Sequence, residues 1–138
     1  MTGRFHIAFA TKNLDAAKKF YGEFLDCPAG RSGNTWIDYD FFGHQLTIQF
    51  VAGKEGPLPN YFHPKTMFPA NHFGIVLKWN DWHVLKDKIT YEKIRFLVEP
   101  QTVFPGEAGE QKTMMIQDPD RNAIEFKTFE DEEAVFRS

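Results

Sequence analysis

Two stretches of the chain repeat one plan. "FHIAFATKNLDAAKKFY" begins at Phe5 and "HFGIVLKWNDWHVL" at His72. Each starts as a short alternating strand with a histidine near its beginning, passes an Asn or Asp, and continues as a helix. In the first, Phe5, Ile7 and Phe9 point one way, while Arg4, His6, Ala8 and Ala10 point the other, as in a half-buried strand. In the second, Phe73, Ile75 and Leu77 oppose His72, Gly74 and Val76. A duplicated strand–helix opening restricts the chain to two copies of one supersecondary unit.

The remainder of each half fits a duplicated unit. Asn13 is a good N-cap, and Asp15 favours the first helical turn. Leu14, Ala17, Phe20, Tyr21, Phe24 and Leu25 recur at helical spacing until "CPAG" ends the helix. "TWIDYDFFGHQLTIQFV" reads as two strands around a turn at Phe42-Gly43. His44, Leu46, Ile48 and Phe50 share one face of the second strand; Gln45, Thr47 and Gln49 share the other. Residues 53–70 hold four prolines and two glycines with no period, and read as a linker. After the second opening, Asn80 or Asp81 caps a helix over "NDWHVLKDKITYEKI". "RFLVEP" is a strand stopped by Pro100, "QTVFPGEAGEQ" a loop, and "KTMMIQDPDRNAIEFKTF" a hairpin. Met114 and Ile116 oppose Met115 and Gln117, so one pair is core and the other is free to line a cavity. The acidic end, from 130 to 138, reads as a short helix or tail.

Bulk properties exclude several classes. With 138 residues, 42% hydrophobic, the chain is globular and large enough for an ordinary core. A net charge of -3 without a basic run points away from nucleic acid and anionic membranes. No apolar run of about 18 residues and no signal-like start are present, so a cytoplasmic protein is expected. A single cysteine, Cys27, excludes an internal disulfide and a cysteine-based zinc cage, and reads as a buried structural thiol.

The chemistry lies on the non-aliphatic strand faces. The aliphatic faces must pack under the helices, leaving the opposite faces to line a cavity. His6, Gln49, His72 and Glu125 would point into it. Imidazole and carboxylate suit Fe(II), Mn(II), Zn(II), Co(II) or Ni(II), and two histidines with one carboxylate is the set of non-haem Fe(II) oxygenases. Gln49 would be a weak fourth ligand or would orient a bound water. Each residue also has a plain structural reading: a strand histidine is commonly a satisfied polar residue, and Glu125 has Lys127 as an ion-pair partner. His44 reads as structural and His83 as superficial.

"FHIAFATKNLDAAKKFYGEFLDCP", "HFGIVL" and "QDPDRNAIEFKTF" together resemble the vicinal oxygen chelate superfamily, which includes glyoxalase I, bleomycin-resistance proteins, fosfomycin-resistance enzymes and extradiol dioxygenases. The likeness runs from Phe5 to about Phe129. It implies an α+β fold: two βαβββ modules whose cupped mixed sheets enclose a divalent metal, with helices on the outer faces. Module one would span 1–52 and module two 71–129, in a single domain over 1–138. Arg121 stands where the family commonly has glycine. Carried over, the family's ligand positions are His6 and Gln49 from the first module and His72 and Glu125 from the second. Glyoxalase I has a second glutamate at the place of Gln49. An amide takes no proton at neutral pH, so a two-base isomerase mechanism is disfavoured.

The expectation is therefore a metal-dependent enzyme of the glyoxalase/dioxygenase type, leaning to Fe(II) dioxygenase. Its small substrate would chelate the metal through adjacent oxygens. The alternatives are a lyase, isomerase or thiol transferase using Ni(II), Mn(II) or Zn(II), and a non-enzymatic binding protein of the resistance type. Glu125 is the candidate base. Lys127 and His63 are candidate substrate contacts, and Glu107, Glu110 and Gln111 lie on a candidate lid. A homodimer is expected.

Overall fold

A computed structural model of the chain describes residues 4–53, 69 and 72–136. Nearly all of the linker, with His63, lies outside the described residues. The chain divides into two compact units, Met1–Leu58 with Asp118–Arg121, and Pro59–Gln117 with Asn122–Ser138. Among the described residues no helix is long and apolar enough to cross a membrane.

In the first unit, β1 (His6–Thr11) leads into α1 (Leu14–Lys18), which continues as a π-helical segment, Lys19–Phe24. Asn13 caps α1, its side chain accepting from the Ala16 N–H at 3.0 Å. Three strands follow: β2 (Ala29–Gly33), β3 (Trp36–Phe41) and β4 (His44–Phe50). The sheet order is β1-β4-β3-β2, with β1 parallel to β4 and the other pairs antiparallel. Phe42 (φ 52°) and Gly43 (φ 89°) make the expected two-residue turn. Ile37, Tyr39, Phe41, Leu46 and Ile48 are buried on one face together with Ala17, Phe20 and Tyr21 of the helix. Each such side chain contributes about 1.5–3 kcal/mol of hydrophobic stabilisation. Cys27 is buried as expected, at 6% exposure.

β2 was not legible as a strand. Its residues, "AGRSG", are all exposed, sit at the sheet edge and pair with β3 across a register shift. An edge strand of small and polar residues carries no apolar period.

The second unit repeats the plan with β5 (Phe73–Val76), α2 (Trp79–Tyr91), β6 (Phe96–Val103), β7 (Gln111–Gln117) and β8 (Ala123–Thr128), ordered β5-β8-β7-β6. β5 and β8 are parallel. The two four-stranded mixed sheets, each with its helix, bear out the α+β duplication. Trp82 of α2 donates its indole N–H to the Phe126 carbonyl at 2.8 Å, fixing the helix against β8. Ile124, Phe126, Met114 and Ile116 beneath it are fully buried, and so is Met115 on the other face.

Two expectations are corrected. The helix begins at Trp79 with Lys78 in the cap position and no side-chain cap, so Asn80 and Asp81 are helical; Asp81 serves the helix dipole instead. Pro100 does not stop β6, which runs on to Val103. It falls where pairing with β7 is irregular, on an edge strand, where its missing N–H costs no ladder bond. The acidic end forms a 3-10 turn, Glu132–Phe136.

The "DPDR" turn belongs to the first unit. Asp118 accepts from the Tyr21 hydroxyl at 2.8 Å and from the Asp120 N–H at 2.9 Å, while Asp120 accepts from the Lys12 N–H at 3.0 Å. Arg121 takes φ 67°, the left-handed conformation that explains the glycine expected there.

Candidate metal centre

β8 places Glu125 and Lys127 on the face opposite the helix-covered core, and β7 places Thr113 and Met115 on that same face. Just before β5, His72 reaches this face too. Its Nε2 lies 3.3 Å from Glu125 Oε2, and its Nδ1 lies 2.8 Å from the Pro69 carbonyl oxygen. A carbonyl only accepts, so Nδ1 carries a proton and the neutral ring has its lone pair on Nε2, toward the carboxylate. Thr113, fully buried, donates its hydroxyl to Glu125 Oε1 at 2.7 Å. Lys127 Nζ stands 3.6 Å from Oε2.

The electrostatics agree with the geometry. The hydrogen bond to Glu125 raises the His72 pKa; burial opposes it, and the Pro69 carbonyl adds to the rise. Burial alone would push the Glu125 carboxyl up. His72, Thr113 and Lys127 outweigh it and hold that carboxyl below its ordinary value. When His72 is protonated, its Nε2 proton lies between two groups whose lone pairs otherwise converge, which is the donor arrangement a divalent cation replaces. These two residues therefore fit one side of a metal site.

Gly74 is required for this arrangement. It pairs with Glu125 across β5 and β8, and a Cβ there would strike the Glu125 carbonyl oxygen.

In the first unit His6 is exposed at the start of β1 and lines a cleft of about 430 Å³ with Arg31, Asp38, Asp40, His44 and Gln45. Gln49 is exposed on β4, paired with Ala10 and Trp36. His44 Nδ1 accepts from the Phe5 N–H at 3.1 Å, and His83 Nδ1 lies 2.8 Å from the Trp79 carbonyl, so both have local structural bonds. Glu107, Glu110 and Gln111 border a separate cleft in the second unit, with Trp79 and Lys112. Among the described residues no three His, Cys, Asp or Glu side chains gather closely enough to hold a metal; His72 and Glu125 are a pair. Thr113 and the Pro69 carbonyl went unnoticed in the sequence. Thr113 shares the Glu125 face through the β7–β8 pairing, a relation across two strands that the local pattern of β7 does not carry.

The sequence pattern of the glyoxalase/bleomycin resistance protein/dioxygenase superfamily matches residues 3–126. The chain belongs to this superfamily. Among solved structures, a glyoxalase/bleomycin resistance protein/dioxygenase from Alicyclobacillus acidocaldarius is similar at 27% identity and TM-score 0.80, over 97% of this chain and 96% of that one. The fosfomycin resistance protein FosX from Listeria monocytogenes shares the fold at TM-score 0.69 and 15% identity, over 98% and 99% of the two chains. Lactoylglutathione lyase from Agrobacterium tumefaciens shares it at TM-score 0.65 and 14% identity, over 94% and 96%. No curated protein matches the chain in sequence. The superfamily spans several chemistries, so the reaction has to be argued from the side chains.

Proposed function

We propose that this member of the superfamily is a divalent-metal enzyme acting on a small substrate that offers two adjacent oxygens, with His6, His72 and Glu125 as the ligand set. The observation that carries the reading is the His72–Glu125 pair, at 3.3 Å with each residue's second polar atom already engaged. That leaves His72 Nε2 and Glu125 Oε2 for one cation. A bound divalent ion would supply Lewis acidity and a template for the substrate's oxygens.

The chain's own residues supply the rest. Thr113 keeps Glu125 from rotating, and the Pro69 carbonyl keeps the imidazole in its ligating tautomer. Lys127 brings positive charge beside the carboxylate for an anionic group of the substrate. Two histidines and one carboxylate favour Fe(II) and a dioxygenase. A homodimer and a cytoplasmic location complete the reading.

A lyase, isomerase or thiol transferase is the second reading, favoured by the fold shared with a lactoylglutathione lyase and FosX. One experiment separates them. Protein purified without a histidine tag is analysed for metal, then loaded anaerobically with Fe(II) and offered catechols in an oxygen electrode. Oxygen uptake supports the dioxygenase. Turnover of thiol adducts with Ni(II), Mn(II) or Zn(II), without oxygen, supports the second reading. A protein that binds no divalent metal, or whose His72→Ala and Glu125→Ala variants bind it as well as the wild type, overturns both.

A further inference from the structure

Lys127 and Glu125 lie on one face of β8, and both belong to the second unit. The Lys127 ammonium stands 3.6 Å from Glu125 Oε2, the oxygen that also faces His72 Nε2 at 3.3 Å. The other oxygen, Oε1, is taken by the Thr113 hydroxyl. Lys127 therefore leans on the one carboxylate oxygen that the metal reading assigns to the ion.

Among the described residues nothing else holds that ammonium. Its neighbours across the sheet are Val76 on β5 and Thr113 on β7. Val76 has no side-chain acceptor, and the Thr113 hydroxyl is committed to Glu125. Glu125 is the only carboxylate that Lys127 meets among the described residues. The lysine side chain is 35% exposed against 11% for Glu125, so it lies on the open side of the pair. Its backbone is held, since the Lys127 carbonyl accepts from the Leu77 N–H at 2.8 Å. The flexible four-carbon stem still lets the ammonium change partner while the strand stays in place.

One oxygen cannot serve an ammonium and a divalent ion equally. The two positive groups repel, and beside a buried carboxylate that repulsion is poorly screened. A divalent ion on Oε2 would take the negative charge that Lys127 now uses. The site would then hold a surplus of positive charge, with an ammonium in want of an anion.

We propose that Lys127 is a place-holding cation that yields Glu125 Oε2 to the divalent ion and then takes an anionic group of the substrate. No covalent bond is made or broken at Lys127; it sets metal affinity and substrate choice. The substrate class narrows to compounds that carry a carboxylate or another anion in addition to their two chelating oxygens. This rests on the reading of His72 and Glu125 as metal ligands.

The test uses the full chain, with urea unfolding first to establish that each variant is folded. Zn(II) affinity is read by competition with a chromogenic chelator. Lys127→Met is expected to bind zinc about tenfold more tightly than the wild type, the effect of removing one like charge from the site. The gap should narrow as salt rises from about 0.05 to 0.5 M. Lys127→Arg keeps the charge and should match the wild type. Should Lys127→Met fail to fold, Lys127→Gln carries the same expectation. Zinc-loaded wild type and neutral variant are then titrated by calorimetry with catechol and with 3,4-dihydroxybenzoate. The preference for the carboxylated probe should be about tenfold greater in the wild type, the coupling left after each compound's own zinc affinity cancels. Zinc affinity that is equal or weaker in the neutral variant overturns the proposal and leaves the metal centre standing. So does an equal preference for the carboxylated probe in both proteins. A wild type that holds no zinc overturns the metal centre and the proposal with it.

Discussion

His72 Nε2 and Glu125 Oε2 stand 3.3 Å apart with the imidazole pKa raised and the carboxyl pKa lowered. The pair makes stability depend on pH from both sides. His72, raised above its ordinary 6.5, contributes stability that is full below that value and is lost as pH rises through its folded pKa. Glu125, lowered from 4.5, contributes stability that is full above that value and is lost as pH falls through its folded pKa. The metal-free protein is therefore expected to draw its full benefit from the pair between these ordinary values. Glu125→Gln should move the His72 NMR titration midpoint down. An unmoved midpoint would show that the pair is not coupled.

Thr113 lies outside any ligand set, yet it should control metal affinity. It is fully buried and its hydroxyl ties down Glu125 Oε1 at 2.7 Å. Thr113→Val preserves shape and frees the carboxylate to rotate. Affinity for Zn(II), read by competition with a chromogenic chelator, is expected to fall about 10–100-fold. Full retention of affinity would assign Thr113 to packing alone.

Gly74 offers a backbone route to the same carboxylate. A methyl group there meets the Glu125 carbonyl oxygen, and backbone yields poorly. Gly74→Ala is expected to cost about 1–3 kcal/mol in urea unfolding and to weaken metal binding as β5 moves away from β8. Unchanged stability would mean that the two strands separate freely at this point.

Much of this was legible because it is local. Asn13 as a cap, the Phe42-Gly43 turn, the β7–β8 hairpin and the faces bearing His6 and Glu125 all follow from short-range pattern. β2 and the continuation past Pro100 were not, because edge strands need neither apolar alternation nor every backbone N–H. The depth of a residue along a strand was also hidden. Alternation places Gln45, Thr47 and Gln49 on one face, but only the pairing of Ile7 with Leu46, as of Phe73 with Ile124, shows that Thr47 holds in its own sheet the place Glu125 holds in the other. That pairing is a long-range contact with no local signature. Thr113 escaped for the same reason: its partner is a strand away.

Cys27 should be inert to alkylation in the folded protein. Burial pushes its thiol up to about 12, with the charges of Asp40 and Asp26 adding to the rise. At pH 8 almost no thiolate forms, so iodoacetamide should modify the unfolded chain and spare the native one. The unfolded thiol ionises near pH 9 while the folded one keeps its proton, so stability should decline as pH climbs from about 9 toward 12. Rapid native labelling at pH 8 would contradict the burial.

The Tyr21–Asp118 hydrogen bond ties the "DPDR" turn to the helical segment of the first unit. Tyr21 is fully buried and Asp118 is 5% exposed, and they meet at 2.8 Å although 97 residues separate them. Burial, then the charge and hydrogen bond of Asp118, raise the Tyr21 pKa well above 10.0, so the phenol remains a donor throughout the physiological range. Tyr21→Phe removes that donor from a buried carboxylate while filling the same space. The expected cost is about 1.5–3 kcal/mol, the range for a hydrogen bond to a charged group. Urea unfolding of Tyr21→Phe, Asp118→Asn and the double variant closes the cycle. If the two are partners, the double variant loses less than the sum of the singles, because the bond is lost only once. Strict additivity would mean that the turn is held by its own backbone and by the Asp120–Lys12 bond instead.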